Sequence, residues 1–362
     1  MKSSQKIIYN DIKNVCDAID VTPFRGKRVL IAGANGLIGA YFGYLLNYLN
    51  ENHSFNVQVD LITRNEITEK ARIYALKEAK NFNVIQQDLG KYFSYTKNYD
   101  YIVHAAGYGA PSRFLENPFN VMDVNYIGLK CMLESYLVVN PKVKILYLSS
   151  SEIYGSPPPD YFPTPETYPG NSSVTNNRAC YIESKRLAEV LALNYIAVHG
   201  MDIKIARPAL SYGPGLMFDD QRVIGQFMRK AHYNKAIDMI DDGRDLRCFC
   251  YISDAIQELI NILLFGKESI YNVGSSEEEV SIKDLAMMIG EIMGAKVIVG
   301  PGKTSEVIGA PSRVCLDLKK IKNEFGFKPA VPLKEGLRRM IEWNLALEEE
   351  RKTLHKKDGE VL

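Results

Sequence analysis

What this chain lacks narrows its possibilities first. Its 362 residues include six cysteines, Cys16, Cys131, Cys180, Cys248, Cys250 and Cys315. None stands in Cys-x-x-Cys spacing and none is matched by a histidine pair, so neither a zinc site nor a disulfide framework is expected. They read as reduced thiols, and a cytoplasmic location is expected. No stretch approaches the roughly 20 apolar residues of a membrane span. Residues 1–20 have no continuous apolar core of the secretion-signal type; the spacing of Ile8, Ile12, Val15 and Ile19 predicts an amphipathic helix instead. Basic residues number 44 against 43 acidic ones, a net charge of +1 with scattered lysines, so no nucleic acid and no membrane is expected as a partner. Internal repeats and low-complexity tracts are missing too, Pro157-Pro158-Pro159 being local punctuation. Isolated histidines (His53, His199, His232, His355) read as surface or packing groups. The one tryptophan, Trp343, follows a stripe of Leu337, Met340 and Ile341 that reads as core.

What is present is a soluble globular composition, 46% hydrophobic and 24% charged, in a chain long enough for one large domain or two of moderate size. The most informative stretch is residues 28–39, where the apolar run Val29, Leu30, Ile31, Ala32 feeds Gly33-x-x-Gly36-x-x-Gly39 and then a helix carrying Leu45, Leu46 and Leu49 on one face. Gly33 permits a tight turn, Gly36 lets backbone approach a pyrophosphate, and Gly39 lets the helix pack on its strand. The helix N-terminus then aims free N–H groups at phosphates, so the expected ligand is a dinucleotide. Asn35, Leu37 and Ile38 in the same loop are expected against it.

Further strands are expected at 57–62, 83–87, 101–104 and 144–149, with helix-like stretches between them. A long helix then leads into strand-like Ile203 to Ala206. Alternation of this kind is the doubly wound pattern of a parallel sheet. Pro208, Gly213, Pro214 and Gly215 then break the rhythm. The expected organisation is an N-terminal helical extension (1–26), a Rossmann-type domain (27–206) to which a strand and helix near 245–265 return, a smaller mixed α/β substrate-binding region (207–345), and a charged tail (346–362) read as a solvated helix end. A strand at 270–273 and a helix from about Ser281 are expected within the substrate region.

Tyr181-x-x-x-Lys185, some thirty residues after Ser149-Ser150-Ser151-Glu152-Ile153-Tyr154-Gly155, is the second constellation. Residues four apart share a helix face. An ammonium beside a phenol favours the phenolate, lowering a pKa of about 10 and making tyrosine a usable base near neutral pH. A serine at the end of the fifth strand is placed to hydrogen-bond the same substrate hydroxyl.

With these motifs the chain resembles the extended short-chain dehydrogenase/reductase family of nucleotide-sugar epimerases, dehydratases and decarboxylases over roughly residues 26–345. Asp88-Leu89 matches the family's adenine contact and His104-Ala105-Ala106 follows the fourth strand, so Asp88, Leu89, Ala105 and Ala106 are expected at the cofactor. Asn125-x-x-Gly128 matches a structural motif of the family. Ser150 matches the catalytic Ser/Thr, beside Tyr181 and Lys185. Arg247 in Arg247-x-x-x-Tyr251-x-x-Asp254 and Arg313, four before Asp317, match arginines that bind a sugar-nucleotide diphosphate.

Within the family the chain most resembles UDP-glucuronate decarboxylases, through Arg178-Ala179-Cys180-Tyr181-x-x-x-Lys185-Arg186-x-Ala188-Glu189, Tyr212-Gly213-Pro214 and Asp220-x-Arg222-Val223. The similar 4,6-dehydratases carry Thr-Asp-Glu where this chain has Ser150-Ser151-Glu152, and their aspartic acid protonates a departing C6 hydroxyl. Ser151 cannot supply that proton readily, whereas decarboxylation of a β-keto acid needs no such acid. Phe114 stands where the decarboxylases have a glucuronate-contacting tyrosine, and Leu210 where they have an asparagine. Arg113, Ser151, Arg222, Arg247 and Arg313 are the expected substrate contacts.

An acidic residue normally accepts the ribose hydroxyls of NAD about twenty positions after the glycines. Here the second strand ends Thr63-Arg64-Asn65, with Asp60 facing the sheet. Arg64 suits a 2′-phosphate and keeps NADP open; the resemblance implies NAD. The expectation is a homodimeric enzyme in which Tyr181, with Ser150 and Lys185, oxidises C4 of a nucleoside-diphosphate sugar. Loss of carbon dioxide, loss of water after abstraction at C5 by Glu152, and inversion at C4 stay open as outcomes. A non-catalytic dinucleotide sensor or scaffold is the alternative of another class; it needs no Ser150, Tyr181 and Lys185 together.

Overall fold

Strand β1 (Arg28–Ala32) is buried at every position from Val29 onward, as expected of a parallel strand covered on both faces. In the computed structural model, which describes residues 2–109, 111–176, 178–302 and 311–359 with side chains except at 111–113 and 354–359, this strand lies inside a seven-stranded parallel sheet. The others are β2 (Gln58–Thr63), β3 (Phe82–Gln86), β4 (Tyr101–His104), β5 (Lys144–Leu148), β6 (Ile203–Pro208) and, after the short strands β7 (Leu210–Tyr212), β8 (Ala236–Asp238) and β9 (Leu246–Tyr251), β10 (Ile270–Val273). Their order is β10-β6-β5-β4-β1-β2-β3. The sequence order reverses between β1 and β4, so a crevice opens there at the carboxyl ends of the strands. The Rossmann-type α/β class read from the sequence is the observed one.

Helices flank the sheet: α1 (Ser3–Ala18), α2 (Leu37–His53), the short α3 (Pro111–Glu116), α4 (Pro118–Val139) and α5 (Ala179–His199). Asn125 is fully buried and donates to Ser184 Oγ at 2.9 Å, tying α4 to α5. Among the described residues no helix is long and apolar enough to cross a membrane.

After β6 come α6 (Val223–Asn234), α7 (Ile252–Phe265), β11 (Glu279–Ser281), α8 (Ile282–Met293), β12 (Lys296–Ile298), β13 (Arg313–Val314), α9 (Lys319–Phe325) and α10 (Leu333–Gly359). β11, β9 and β13 form a small sheet with β7 on the same central strand, and β12 pairs with β8. Two expectations need correcting. The strand near 245–265 does not return to the large sheet; β9 stays in the small one and only α7, packed on β5, β6 and β10, goes back. The seventh strand is β10, expected in the substrate region. At this edge of the large sheet its Tyr271, Asn272 and Val273 are fully buried, and Asn272 accepts from Tyr154 Oη at 2.7 Å and donates to Thr164 O at 2.9 Å.

The charged run near 348–352 is not simply solvated. Glu350 on α10 accepts from Ser4 N at 2.9 Å and Ser4 Oγ at 2.7 Å, satisfying free donors at the start of α1. Asp11 on α1 is 1% exposed; it accepts from Tyr251 Oη at 2.6 Å and from Arg339 Nη1 at 3.1 Å. The first and last helices thus pack together, and Tyr251 joins them to the small sheet.

Candidate active site

Past Leu148, Ser150 leaves the large sheet in extended conformation, and its Oγ accepts from Glu152 N at 3.2 Å, capping the single turn Ser151–Tyr154. Gly155 closes that turn at φ 65°, a left-handed conformation available to glycine without strain. Tyr181 and Lys185 lie in the first two turns of α5, both buried. Ser150 lies close enough to the Tyr181 hydroxyl to lower its pKa, and the Tyr181 ring stacks on Phe114 with centroids 4.2 Å apart and planes 6° from parallel. Lys185 Nζ donates to Leu148 O at 2.7 Å and sits 4.9 Å from the Tyr147 ring centroid. Ser150, Tyr181 and Lys185 are therefore one cluster at the carboxyl end of β5.

Its electrostatics differ from the sequence expectation. Burial pushes the Tyr181 hydroxyl above its ordinary value and the Glu152 charge adds to this, while Ser150 and Arg178 oppose it. Burial also brings Lys185 down to about 7, with Glu189 opposing. The ammonium faces a carbonyl and the Tyr147 ring, so desolvation rather than a lysine–phenol contact governs both groups. Glu152 is engaged as well: Arg178 Nε donates to its Oε2 at 3.0 Å and Nη2 to its Oε1. Arg247, from β9, reaches the same place. Burial lowers its pKa, and Arg178 and Glu152 are among the charges it feels. Its Nη2 donates to Pro311 O at 2.8 Å.

The residues expected at the cofactor lie just past the ends of β1, β2, β3 and β4. Gly33 has φ +81°, and a Cβ on it would lie 2.6 Å from Ala106 backbone atoms; one on Gly39 would lie 2.5 Å from Gly33 O. Only glycine fits either place. Gly36 precedes α2 with no side-chain cap, leaving the first-turn N–H groups aimed outward. Leu37 and Ile38 are half-buried against the core. Asn35 is braced by Arg72, whose backbone N donates to Asn35 Oδ1 at 2.8 Å and whose Nη1 donates to Asn35 O at 3.1 Å. Asp88 Oδ1 accepts from Gly90 N at 3.0 Å beside buried Leu89, and Ala105 N donates to Ala32 O at 2.8 Å. Arg64 Nη1 donates to Tyr108 Oη and to Asn120 Oδ1, the latter at 3.1 Å. Asp60 faces inward, accepting from Asn83 Nδ2 and Lys97 Nζ, each at 2.9 Å. Among the described residues, His104 (both ring nitrogens), Asn125 Oδ1, Tyr147 Oη and Ser149 Oγ are buried without a hydrogen-bond partner. A Cβ on Gly107 would lie 3.4 Å from both Lys185 Nζ and Asn125 Oδ1. This glycine cradle and polar pocket fit a dinucleotide.

Other candidate substrate contacts do not all converge. Arg222 pairs with Asp220, Nε to Oδ1 at 2.8 Å. Arg313 is clamped by Glu279 through Nε at 2.7 Å and Nη2 at 2.9 Å, and lies 4.8 Å from the Phe162 ring centroid. Ser151 is half-buried on the capped turn, and the Arg113 side chain lies outside the described residues. Sequence reasoning missed Arg178 as a site residue, although it stands three before Tyr181 in a motif already noticed. It also missed Arg72, which carries no motif and is found only by where its loop folds.

A model of the NAD dependent epimerase/dehydratase family matches residues 29–274. UDP-glucuronic acid decarboxylase 3 of Arabidopsis thaliana is 31% identical over 316 residues, covering 87% of this chain and 88% of that one. UDP-glucuronic acid decarboxylase 1 of Xenopus tropicalis is 29% identical over 317 residues, covering 88% and 72%. A dTDP-glucose 4,6-dehydratase from Streptomyces venezuelae, solved with NAD bound, superposes with TM-score 0.74 at 21% identity over 87% of this chain and 96% of that one. A UDP-glucuronic acid 4-epimerase from Bacillus cereus, solved with NAD, does so with TM-score 0.74 at 22% identity over 88% and 99%. The structural likenesses establish the fold; the family model and the sequence relatives, with the glycine cradle and the Ser150, Tyr181, Lys185 cluster, establish that the chain belongs to the NAD-dependent epimerase/dehydratase family.

Proposed function

We propose that this chain converts UDP-glucuronate to a UDP-pentose by oxidation at C4 and loss of the C6 carboxylate. One observation carries this reading: Glu152, the acid beside Tyr181, is bound on both oxygens by Arg178. A dehydratase needs a free acid at this turn, and here Ser151 and a neutralised Glu152 occupy it. A uronate brings its own carboxylate, and the cations nearest this turn, Arg178 on Glu152 and Arg247 at 3.5 Å from Asp245, would have to turn from those partners to bind it.

The roles follow from placement. Tyr181 takes the C4 hydroxyl proton, and Ser150 shares the hydrogen bond that orients that hydroxyl. NAD, held at the Gly33, Gly36 and Gly39 loop, would supply a reversible two-electron acceptor for the C4 hydrogen. Lys185, held on Leu148 O, orients the cofactor side of the site; Arg178 turns from Glu152 to the carboxylate that leaves as carbon dioxide. NAD is favoured over NADP because Arg64, the residue a 2′-phosphate would need, is held by Tyr108 and Asn120. We expect a homodimer, since Phe119 and Met122 on α4 and Leu187 and Val190 on α5 stand exposed on adjacent helices, a face that a two-fold axis can pair with itself.

Incubating the protein with NAD and, separately, UDP-glucuronate, UDP-glucose and dTDP-glucose tests the reading by product mass and carbon dioxide release. Release from UDP-glucuronate alone is expected. Turnover of a neutral hexose nucleotide with no carbon dioxide from UDP-glucuronate overturns it and leaves the family membership standing.

A further inference from the structure

The small sheet brings together three ligand-type side chains that lie far apart in the sequence. Cys248 is on its central strand, β9, with Glu279 directly opposite on antiparallel β11. On the other side β13 pairs in parallel, Val314 opposite Arg247, which carries Cys315 alongside Cys248. The two Sγ atoms and a Glu279 carboxylate oxygen all lie within 4.8 Å of one another. Cys248 is 1% and Cys315 5% exposed.

We propose that Cys248, Cys315 and Glu279 form a binding site for a thiophilic divalent cation of the zinc class. Two sulfurs and one carboxylate oxygen are a zinc-type donor set, and a fourth position is left for solvent. Tetrahedral coordination at about 2.3 Å to sulfur puts the sulfurs about 3.8 Å apart, so at most about 1 Å of closure is required. Arg313 supplies what such sites usually have behind a ligating carboxylate. It grips Glu279 through both oxygens, and each carboxylate oxygen keeps a further lone pair for a cation. The charge balances: two thiolates and a carboxylate against the cation and Arg313. The spacing rule that argued against zinc looked for ligands close in sequence, whereas these come from three strands paired side by side. Bound there, a cation clips β11, β9 and β13 together at the residue next to Arg247. The site is independent of the reaction proposed above.

The test uses the full chain, reduced and stripped by a chelator, titrated with Cd2+, whose thiolate charge-transfer absorption in the ultraviolet reports sulfur ligation. Saturation at one Cd2+ per chain, reversed by Zn2+, is expected. Cys248→Ser and Cys315→Ser each remove the band, Cys16→Ser keeps it, and Arg313→Gln weakens affinity by roughly 10- to 100-fold. Far-ultraviolet circular dichroism checks that each variant is folded. Absence of the band in the wild-type chain, or its persistence in both folded Cys248 and Cys315 variants, overturns the proposal.

Discussion

Arg178 closes on Glu152 with a paired grip, Nε to Oε2 at 3.0 Å and Nη2 to Oε1, and both charges are felt by the Tyr181 hydroxyl. The grip neutralises the only acid on that turn and keeps a guanidinium at the reacting end of the cleft. Arg178→Gln removes the cation and frees the Glu152 charge to repel a uronate. Loss of one charge-assisted contact costs about 1.5–3 kcal/mol, so UDP-glucuronate affinity should fall by roughly 10- to 100-fold while cofactor affinity holds. Calorimetric titration of both ligands reads this. The double variant with Glu152→Gln should regain part of the loss, and equal affinity in wild type and Arg178→Gln would remove Arg178 from the substrate site.

Ser151 sits between Ser150 and Glu152 on the capped turn. Ser151→Asp adds a negative charge where a uronate carboxylate is expected, so it should weaken UDP-glucuronate binding and slow carbon dioxide release. If the variant instead turns over neutral hexose nucleotides faster than wild type does, the turn belongs to a dehydratase.

Tyr181→Phe keeps the ring stacked on Phe114 and removes the hydroxyl beside Ser150. Turnover should drop by at least about 100-fold with substrate affinity little changed. Steady-state kinetics beside a binding measurement separates the two effects, and retained turnover excludes Tyr181 as the base.

A Cβ on Gly36 would meet only Gly33 O at 3.2 Å within the protein, so the chain can tolerate a larger residue far better than a ligand at the helix start can. Gly36→Val should leave the thermal transition largely in place and abolish dinucleotide binding. A folded variant that still binds NAD would move the pyrophosphate elsewhere.

Burial pushes the Asp11 carboxyl up to about 6 from 3.8, against the pull of Tyr251 and Arg339. Between those values the folded chain holds more protons at this site than the unfolded chain. Its contribution to stability is therefore complete below about 3.8 and is lost as pH rises through about 6. Asp254 is raised to about 6 as well, so the informative quantity is a difference. The stability of wild type relative to Asp11→Asn should fall with pH across that window and level off above it, read from denaturant midpoints at several pH values. A pH-independent difference would show that Asp11 titrates normally.

The glycine loop, the first six strands of the large sheet and the Tyr181 to Lys185 spacing were legible because each is written in contiguous sequence, as an apolar run, a turn signal or a helical spacing. β10 was placed in the wrong layer because a four-residue buried strand carries no mark of its partner; only Asn272, reaching Tyr154 and Thr164, shows where it belongs. Arg313 matched by position, yet its guanidinium went to Glu279, since the pairing of β11 with β9 that brings Glu279 close is invisible in a linear reading. The engagement of Glu152 depends on a turn and a helix start twenty-six residues apart meeting in space.

The place of β10 has a consequence for how this chain can be made and cut. Its strand pairs with β6 only after the polypeptide has passed through β7, β8 and β9, so a ribosome must emit the first elements of the smaller region before the large sheet can be completed. A fragment stopped at the apparent boundary near residue 206 would end on an unpaired strand edge, with the faces of β5 and β6 that α7 covers left bare. Such a fragment is set to aggregate rather than to stand as a free cofactor domain, and the two lobes are one cooperative unit despite the break in sequence texture between them.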